Sequence, residues 1–145
     1  MNTSIQNCMV AQSGGPTVAI NASLAGVIKG AAGCYGTVYG SVNGILGILN
    51  EHYLNLSEIM ESDDNALERL IHTPAMYLGS CRYKLPKMAD DIELYEKIFA
   101  FFEANDITGF FYIGGNDSMD TVLQLSTYAK LHEKSVTIMG VPKTI

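Results

Sequence analysis

Two short apolar runs that each end at a pair of glycines constrain the fold of this chain more than any other feature. Residues 8–11 (CMVA) are followed by Ser-Gly-Gly at 13–15, and residues 107–113 (ITGFFYI) are followed by Gly-Gly at 114–115. Continuous apolar runs of this length predict strands that are buried on both faces, as in parallel sheets. The glycines after each strand indicate turns in which the backbone can approach a neighbouring group closely.

Longer segments with helical periodicity separate the apolar runs. Residues 43–56 are harder to assign and are predicted to hold one short helix, whereas residues 78–86 are predicted to form a loop. Strands joined by crossover helices of this length predict an α/β fold, a three-layer α/β/α domain with a mostly parallel sheet, over residues 1–145. The four strands are predicted at 8–11, 37–42, 107–113 and 135–141. The longer helices are predicted at 17–29, 62–71, 89–105 and 118–133.

Composition limits the possible partners of the chain. Its 145 residues are 48% hydrophobic and 17% charged, which is typical of a folded protein with a real core. The net charge is −6 without any run of Lys or Arg, so neither nucleic acid nor an anionic membrane is an expected partner. Cys8, Cys34 and Cys81 have no paired spacing, and we expect reduced thiols in a cytoplasmic protein.

The glycine turns suit the binding of an anion. The carboxyl ends of parallel strands lie at one edge of a sheet, so both turns are expected to face the same crevice. Glycine lets backbone N–H groups reach an anion, and the helix that follows adds its positive end. The chain contains neither the dinucleotide fingerprint G-x-G-x-x-G nor the P-loop motif. These residues alone leave open a second interpretation, in which the glycines serve tight turns without a ligand.

The order of four motifs resembles that of the phosphofructokinase family. Residues 12–15 (QSGG), with Asn-Ala at 21–22, resemble the first glycine loop of the family, and residues 78–82 (LGSCR) resemble its arginine-bearing donor loop. Residues 112–118 (YIGGNDS) resemble the second glycine loop, and residues 142–145 (PKTI) resemble the start of the catalytic stretch. The resemblance extends over essentially the whole chain and implies the Rossmann-like N-terminal domain of that family.

The resemblance also implies roles for individual residues in a glycolytic phosphoryl transfer to fructose 6-phosphate. Ser118 is expected to cap the helix that follows it as well as to face phosphate, and Thr144 to bind the sugar phosphate. Mg²⁺ is the implied cofactor, with Asn116 as a weak candidate ligand because it offers one neutral oxygen. The implied donor-phosphate residues are Gly14, Gly15, Arg82, Tyr83, Gly115, Asn116 and Ser118.

Asp117 and Lys143 favour pyrophosphate over ATP as the donor. ATP-using members of the family have glycine where this chain has Asp117, which leaves space for the α-phosphate of the nucleotide. A carboxylate at that position fills the space and repels the phosphate, and the ammonium group of Lys143 can offset charge on pyrophosphate. Two alternatives remain, an ATP-dependent enzyme and a phosphate-binding or regulatory subunit without catalytic activity.

The chain stops after a strand, where doubly wound domains place functional loops, and we expect it to be truncated. The family continues beyond Ile145 with Asp-Asn-Asp, whose first Asp is the general base. The 145 residues alone are therefore expected to be inactive, and the full-length protein is expected to be a homo-oligomer. Loss of that Asp in the parent protein would favour the subunit without catalytic activity.

Overall fold

A computed structural model describes residues 6–12, 20–31, 34–61, 65–71, 78 and 85–142 of the chain. The strands are β1 (Asn7–Gln12), β2 (Val38–Ser41), β3 (Tyr53–Asn55), β4 (Ile107–Gly114) and β5 (Thr137–Pro142). The helices are α1 (Ile20–Ala31), α2 (Ile45–Leu49), α3 (Leu56–Glu61), α4 (Ala66–Ile71), α5 (Ile92–Ala104) and α6 (Asn116–Leu131).

The strands form one sheet in the order β3-β2-β1-β4-β5. β1 pairs in parallel with both β2 and β4, and β4 pairs in parallel with β5. β3 runs antiparallel to β2, with Tyr53 opposite Ser41. The predicted α/β fold with a mostly parallel sheet is confirmed.

Helices cover both faces of β1. Met9 and Ala11 belong to one hydrophobic core, and Cys8 and Val10 belong to another, because successive side chains of a strand point to opposite faces. The first core includes residues from α2, α5 and α6, namely Ile45, Phe99 and Leu125. The second core includes residues from α1, α3 and α4, namely Leu24, Leu56 and Leu70. The predicted three layers are therefore present.

The segment between β2 and α4 is more structured than the sequence predicts. The short helix expected within residues 43–56 is α2, but β3 and the start of α3 also lie there. α3 follows β3 without an intervening loop, because the Asn55 side chain accepts a hydrogen bond from the Glu58 N–H (3.0 Å). This side chain satisfies one of the backbone donors at the start of the helix.

Helix α5 begins at Ile92, three residues later than predicted. The Asp91 side chain accepts a hydrogen bond from the Leu94 N–H (3.2 Å) and acts as the N-cap. The aromatic face of α5 packs in the first core, with Phe99 and Phe102 in edge-to-face contact at 5.5 Å between ring centroids.

Among the helices of the described residues, none has the length and the apolar character needed to cross a membrane.

Gly47 is the glycine at which we expect a side chain to be least tolerated. A Cβ added there would collide with Ser41 Oγ and with the carbonyl oxygens of Val42 and His52. Gly26 in α1 is the matched control, because no atom lies within 4 Å of an added Cβ. We expect Gly47→Ala to lower the free energy of unfolding by about 2 kcal/mol, and Gly26→Ala to raise it by about 0.5–1 kcal/mol. Urea unfolding of both variants checks this, and a stability loss at Gly26 equal to that at Gly47 would contradict it.

The buried thiol of Cys8 makes the stability depend on alkaline pH. Burial, with a smaller contribution from the nearby Cys34, raises the pKa of Cys8 from 9.0 to about 12. Between these values the unfolded chain loses the proton and the folded chain keeps it. The free energy of unfolding should therefore fall as pH rises from about 9 to 12, by at most about 1.4 kcal/mol per pH unit from this group.

Cys8→Ala tests this contribution in urea unfolding at a series of pH values. The variant should lose less stability than the parent between pH 9 and 10. Above pH 10 a decline should remain in both proteins, because burial also raises the pKa of Tyr35 and Tyr128. Cys34→Ala is the control and should keep most of the slope. Equal slopes in the parent and in Cys8→Ala would show that the Cys8 thiol does not contribute.

Candidate functional site

The carboxyl ends of three neighbouring parallel strands lie at one edge of the sheet. Gln12, the last residue of β1, is opposite Ile113 of β4, and Gly114 at the end of β4 is opposite Pro142 at the end of β5. The segments that leave these strands therefore start side by side. This is the arrangement expected for the two glycine loops, and it places the start of α6 at the same edge.

Gly115 is the N-cap of helix α6. Its backbone is extended (φ −89°, ψ −154°), and as a glycine it has no side chain with which to cap the helix. The Met119 N–H donates to the Gly115 carbonyl oxygen (3.0 Å), which closes the first turn. N–H groups of a first turn have no partner within the helix, and the helix dipole makes this end positive. The start of α6 thus has the properties of an anion-binding helix end.

The expectation that Ser118 caps this helix is wrong. α6 begins at Asn116, so Ser118 is the third residue of the helix, and it is buried. The helix starts earlier than predicted because Gly115 adopts the extended conformation that an N-cap requires. Ser118 still lies in the first turn, close in sequence to the helix end.

Gln12 connects β1 to two other segments at this edge. Its side chain is fully buried, its Nε2 donates to Asn21 Oδ1 in the first turn of α1 (3.2 Å), and its Oε1 accepts from the Leu78 N–H (2.9 Å). The sequence marks Gln12 and Asn21 only as part of a motif. A polar residue directly after a buried apolar run is a signal that could have marked Gln12 as a hydrogen-bonding residue, but it does not identify its partners.

The loop after β2 reaches the same segment. The Asn43 N–H donates to the Leu78 carbonyl oxygen (2.9 Å), so both backbone polar groups of Leu78 are hydrogen-bonded. Asn43 and Gly44 have φ angles of 64° and 63°, a left-handed turn that Asn-Gly pairs favour. The Ser41 hydroxyl donates to the Gly44 carbonyl oxygen (2.6 Å) and holds this turn closed.

Leu85 and Pro86 anchor the chain between the arginine-bearing motif and α5. Leu85 is buried in the first core. The Tyr95 hydroxyl donates to the Pro86 carbonyl oxygen (2.6 Å), which ties this part of the chain to α5. Arg82 thus lies in sequence between Leu78 and Leu85, which are each buried in one of the two cores.

Several residues with expected roles lie outside the described residues, and their roles stay predictions. Asn116 and Asp117 are the first two residues of α6, but only their backbone is described. Lys143 and Thr144 directly follow the last residue of β5 in sequence. The expected residues that lie outside the described part are Gly14, Gly15, Arg82, Tyr83, Lys143 and Thr144.

The described residues contain no cluster of three or more His, Cys, Asp or Glu side chains that could hold a metal ion. Mg²⁺ does not require such a cluster, because it commonly binds through one or two protein oxygens together with substrate phosphates and water. Asn116, the expected ligand, is a residue type that offers one neutral oxygen to such an ion. The residue types at the start of α6 therefore fit a magnesium ion that is held largely by phosphate.

Comparison with known proteins agrees with this arrangement. The family model described as phosphofructokinase matches residues 7–145. The pyrophosphate–fructose 6-phosphate 1-phosphotransferase of Halomonas elongata is 42% identical over 96% of this chain and 33% of its own length. The ATP-dependent 6-phosphofructokinase of Vibrio vulnificus is 28% identical over 97% of this chain and 39% of its own length.

A solved structure shows the same fold. The pyrophosphate-dependent phosphofructokinase of Nitrosospira multiformis superimposes with a TM-score of 0.84 at 40% identity, over 96% of this chain and 34% of that protein. The chain thus spans about a third of the length of the pyrophosphate-dependent relatives that it matches. Because the family model covers nearly all residues, the chain belongs to the phosphofructokinase family.

Proposed function

We propose that this chain is the donor-phosphate part of a pyrophosphate-dependent 6-phosphofructokinase. Such an enzyme moves a phosphoryl group from pyrophosphate to the 1-hydroxyl of fructose 6-phosphate, giving fructose 1,6-bisphosphate and phosphate. The observation that carries the proposal is the start of α6, where a glycine N-cap without a capping side chain lies at the sheet edge next to the end of β1. The family membership of the chain supports it.

The geometry of this edge suits phosphate for two reasons. A phosphoryl group is an anion whose charge spreads over several oxygens, and the N–H groups and positive end of a helix stabilise such charge. Phosphoryl transfer needs little covalent chemistry from the protein, so positioning and charge stabilisation account for most of the catalysis. A rigid sheet edge from which several loops leave together is well suited to both tasks.

Pyrophosphate is the donor that the sequence and the relatives favour. The relatives named for pyrophosphate use are 42% and 40% identical to the chain, whereas the relative named for ATP use is 28% identical. Asp117, the second residue of α6, provides the carboxylate that would exclude an additional phosphate. Lys143, which directly follows the last residue of β5 in sequence, would compensate for charge on pyrophosphate.

The other expected residues complete the proposed site. Gly15 would let the backbone approach the donor phosphates, and Arg82 would pair with their oxygens through its planar guanidinium group. Thr144 would contact the sugar phosphate. The general base, an Asp expected after Ile145, would accept the proton of the sugar 1-hydroxyl as that oxygen attacks phosphorus. Asn116 would contribute one oxygen to Mg²⁺, which when bound neutralises charge on the phosphate oxygens.

Replacing both proposed donor-selecting residues by glycine tests which donor the enzyme uses. In the complete gene product, we expect Asp117→Gly combined with Lys143→Gly to lower kcat/KM with pyrophosphate at least tenfold, about 1.4 kcal/mol, and to increase ATP use. Steady-state assays with fructose 6-phosphate and either donor measure both effects. Asp120→Gly is the matched control, because it removes an exposed carboxylate of the same helix that hydrogen-bonds to the Gln124 side chain.

The Asp120→Gly control should keep the donor preference of the parent protein. A double variant that uses pyrophosphate as well as the parent and gains no ATP activity would show that these residues do not select the donor. A parent protein that uses only ATP would contradict the pyrophosphate assignment itself.

Substitution of the N-cap tests whether α6 binds the donor. A Cβ added at Gly115 has no atom within 4 Å, so the position can accept a side chain. We expect Gly115→Asp to raise the free energy of unfolding by about 0.5 kcal/mol, because a carboxylate caps the helix and complements its dipole. The same carboxylate should compete with phosphate and raise KM for pyrophosphate at least tenfold, about 1.4 kcal/mol.

Gly115→Ala is the matched control, since it adds a Cβ without a carboxylate. It should raise KM for pyrophosphate much less than Gly115→Asp does. Thermal unfolding and steady-state kinetics of both variants give the comparison. An unchanged KM for pyrophosphate in Gly115→Asp would show that the start of α6 does not bind the donor.

A further inference from the structure

Gln12 is a polar side chain in a position that is otherwise apolar. The four residues before it, Cys8 to Ala11, belong to the two hydrophobic cores, and Gln12 is as completely buried as they are. A buried carboxamide is costly unless it is hydrogen-bonded, so its partners determine what it contributes. Two of its partners lie at the carboxyl edge of the sheet: Asn21 is on α1, the next helix, and Leu78 is remote from β1 in sequence.

Two hydrogen bonds of the Gln12 side chain join three segments. Donation to Asn21 Oδ1 (3.2 Å) holds the first turn of α1, which follows the first glycine loop. Acceptance from the Leu78 N–H (2.9 Å) holds a residue 66 positions away. One side chain at the end of β1 therefore sets the positions of α1 and of the Leu78 segment relative to each other.

Leu78 is held in place by further contacts besides its hydrogen bond to Gln12. Its carbonyl oxygen accepts from the Asn43 N–H (2.9 Å), and its side chain is buried in the second core. It packs so closely on β2 that a Cβ added at Gly40 would lie 2.7 Å from Leu78 Cδ2. The backbone and the side chain of Leu78 are thus both held. In sequence, Leu78 precedes by four positions the arginine that the proposed function assigns to donor phosphate.

We propose that Gln12 is a positioning residue for pyrophosphate, acting through its hydrogen bonds to Asn21 and Leu78. The inference rests on the proposed function for its substrate and on the structure for its geometry. Gln12 does not need to contact the donor. It holds the first turn of α1 and Leu78 at the carboxyl edge of the sheet, and it lies opposite Ile113 of β4, the strand that leads into α6.

The other end of β1 provides a matched control. Asn7 also uses one carboxamide to join two segments: its Nδ2 donates to the Asn105 carbonyl oxygen (3.0 Å) and its Oδ1 accepts from the Thr37 N–H (3.0 Å). These partners lie at the amino edge of the sheet, away from the start of α6. Asn7→Leu and Gln12→Met each replace a carboxamide by an apolar group of similar size on the same strand.

The test compares these two variants in the complete gene product. We expect Gln12→Met to raise KM for pyrophosphate about tenfold, while KM for fructose 6-phosphate changes less than twofold. Asn7→Leu should lower the thermal unfolding temperature but change KM for pyrophosphate less than twofold. Amide hydrogen exchange should show faster exchange at Leu78 in Gln12→Met and no change there in Asn7→Leu.

The possible outcomes separate this inference from the proposed function. An unchanged KM for pyrophosphate in Gln12→Met, or an equal rise in both variants, would overturn the positioning role. A parent protein without pyrophosphate activity would instead overturn the proposed function. In that case an unchanged exchange rate at Leu78 in Gln12→Met would also overturn the structural part of the inference, and a faster rate would support it.

Discussion

The burial of β1 on both faces is the constraint on which the rest of the structure depends. From Cys8 to Gln12 no side chain of this strand is exposed to solvent. β2 and β4 occupy its two sides, and alternate residues enter two separate cores. Full burial of a side chain as large as Met9 or Val10 stabilises the fold by roughly 1.5–3 kcal/mol. Helices must therefore cover both faces, which is why the fold has three layers.

This constraint also decides where polar side chains can lie on β1. Only the two ends of the strand carry them, Asn7 and Gln12, and each carboxamide joins two other segments through hydrogen bonds. The strand that organises the cores therefore also organises both edges of the sheet. At the carboxyl edge, Gln12 binds the first turn of α1 and Leu78, and the turn after β2 binds Leu78 in turn. The segments at that edge are therefore fixed to the buried strand.

Sequence reasoning predicted the long, strongly patterned elements and missed what depends on distant contacts. The apolar runs located β1 and β4 within one residue at each end. β3 was missed because it has three residues and no turn residues separate it from α3. At the candidate site, the glycine pair after β4 pointed to the start of α6 at the carboxyl edge of the sheet, but the cap of α6 was assigned to Ser118 rather than to Gly115. The bond between Gln12 and Leu78 spans 66 positions, and no local pattern encodes it.

The two edges of the sheet differ in what they offer to another strand. β3 closes one edge with three residues and runs antiparallel to its neighbour, so it offers few backbone groups for further pairing. At the other edge, β5 has six residues and, within the described residues, pairs only with β4. Growth of the sheet by strand addition is therefore favoured at β5. Lys143 and Thr144 follow β5 directly in sequence, so a strand added there would lie next to the proposed donor site.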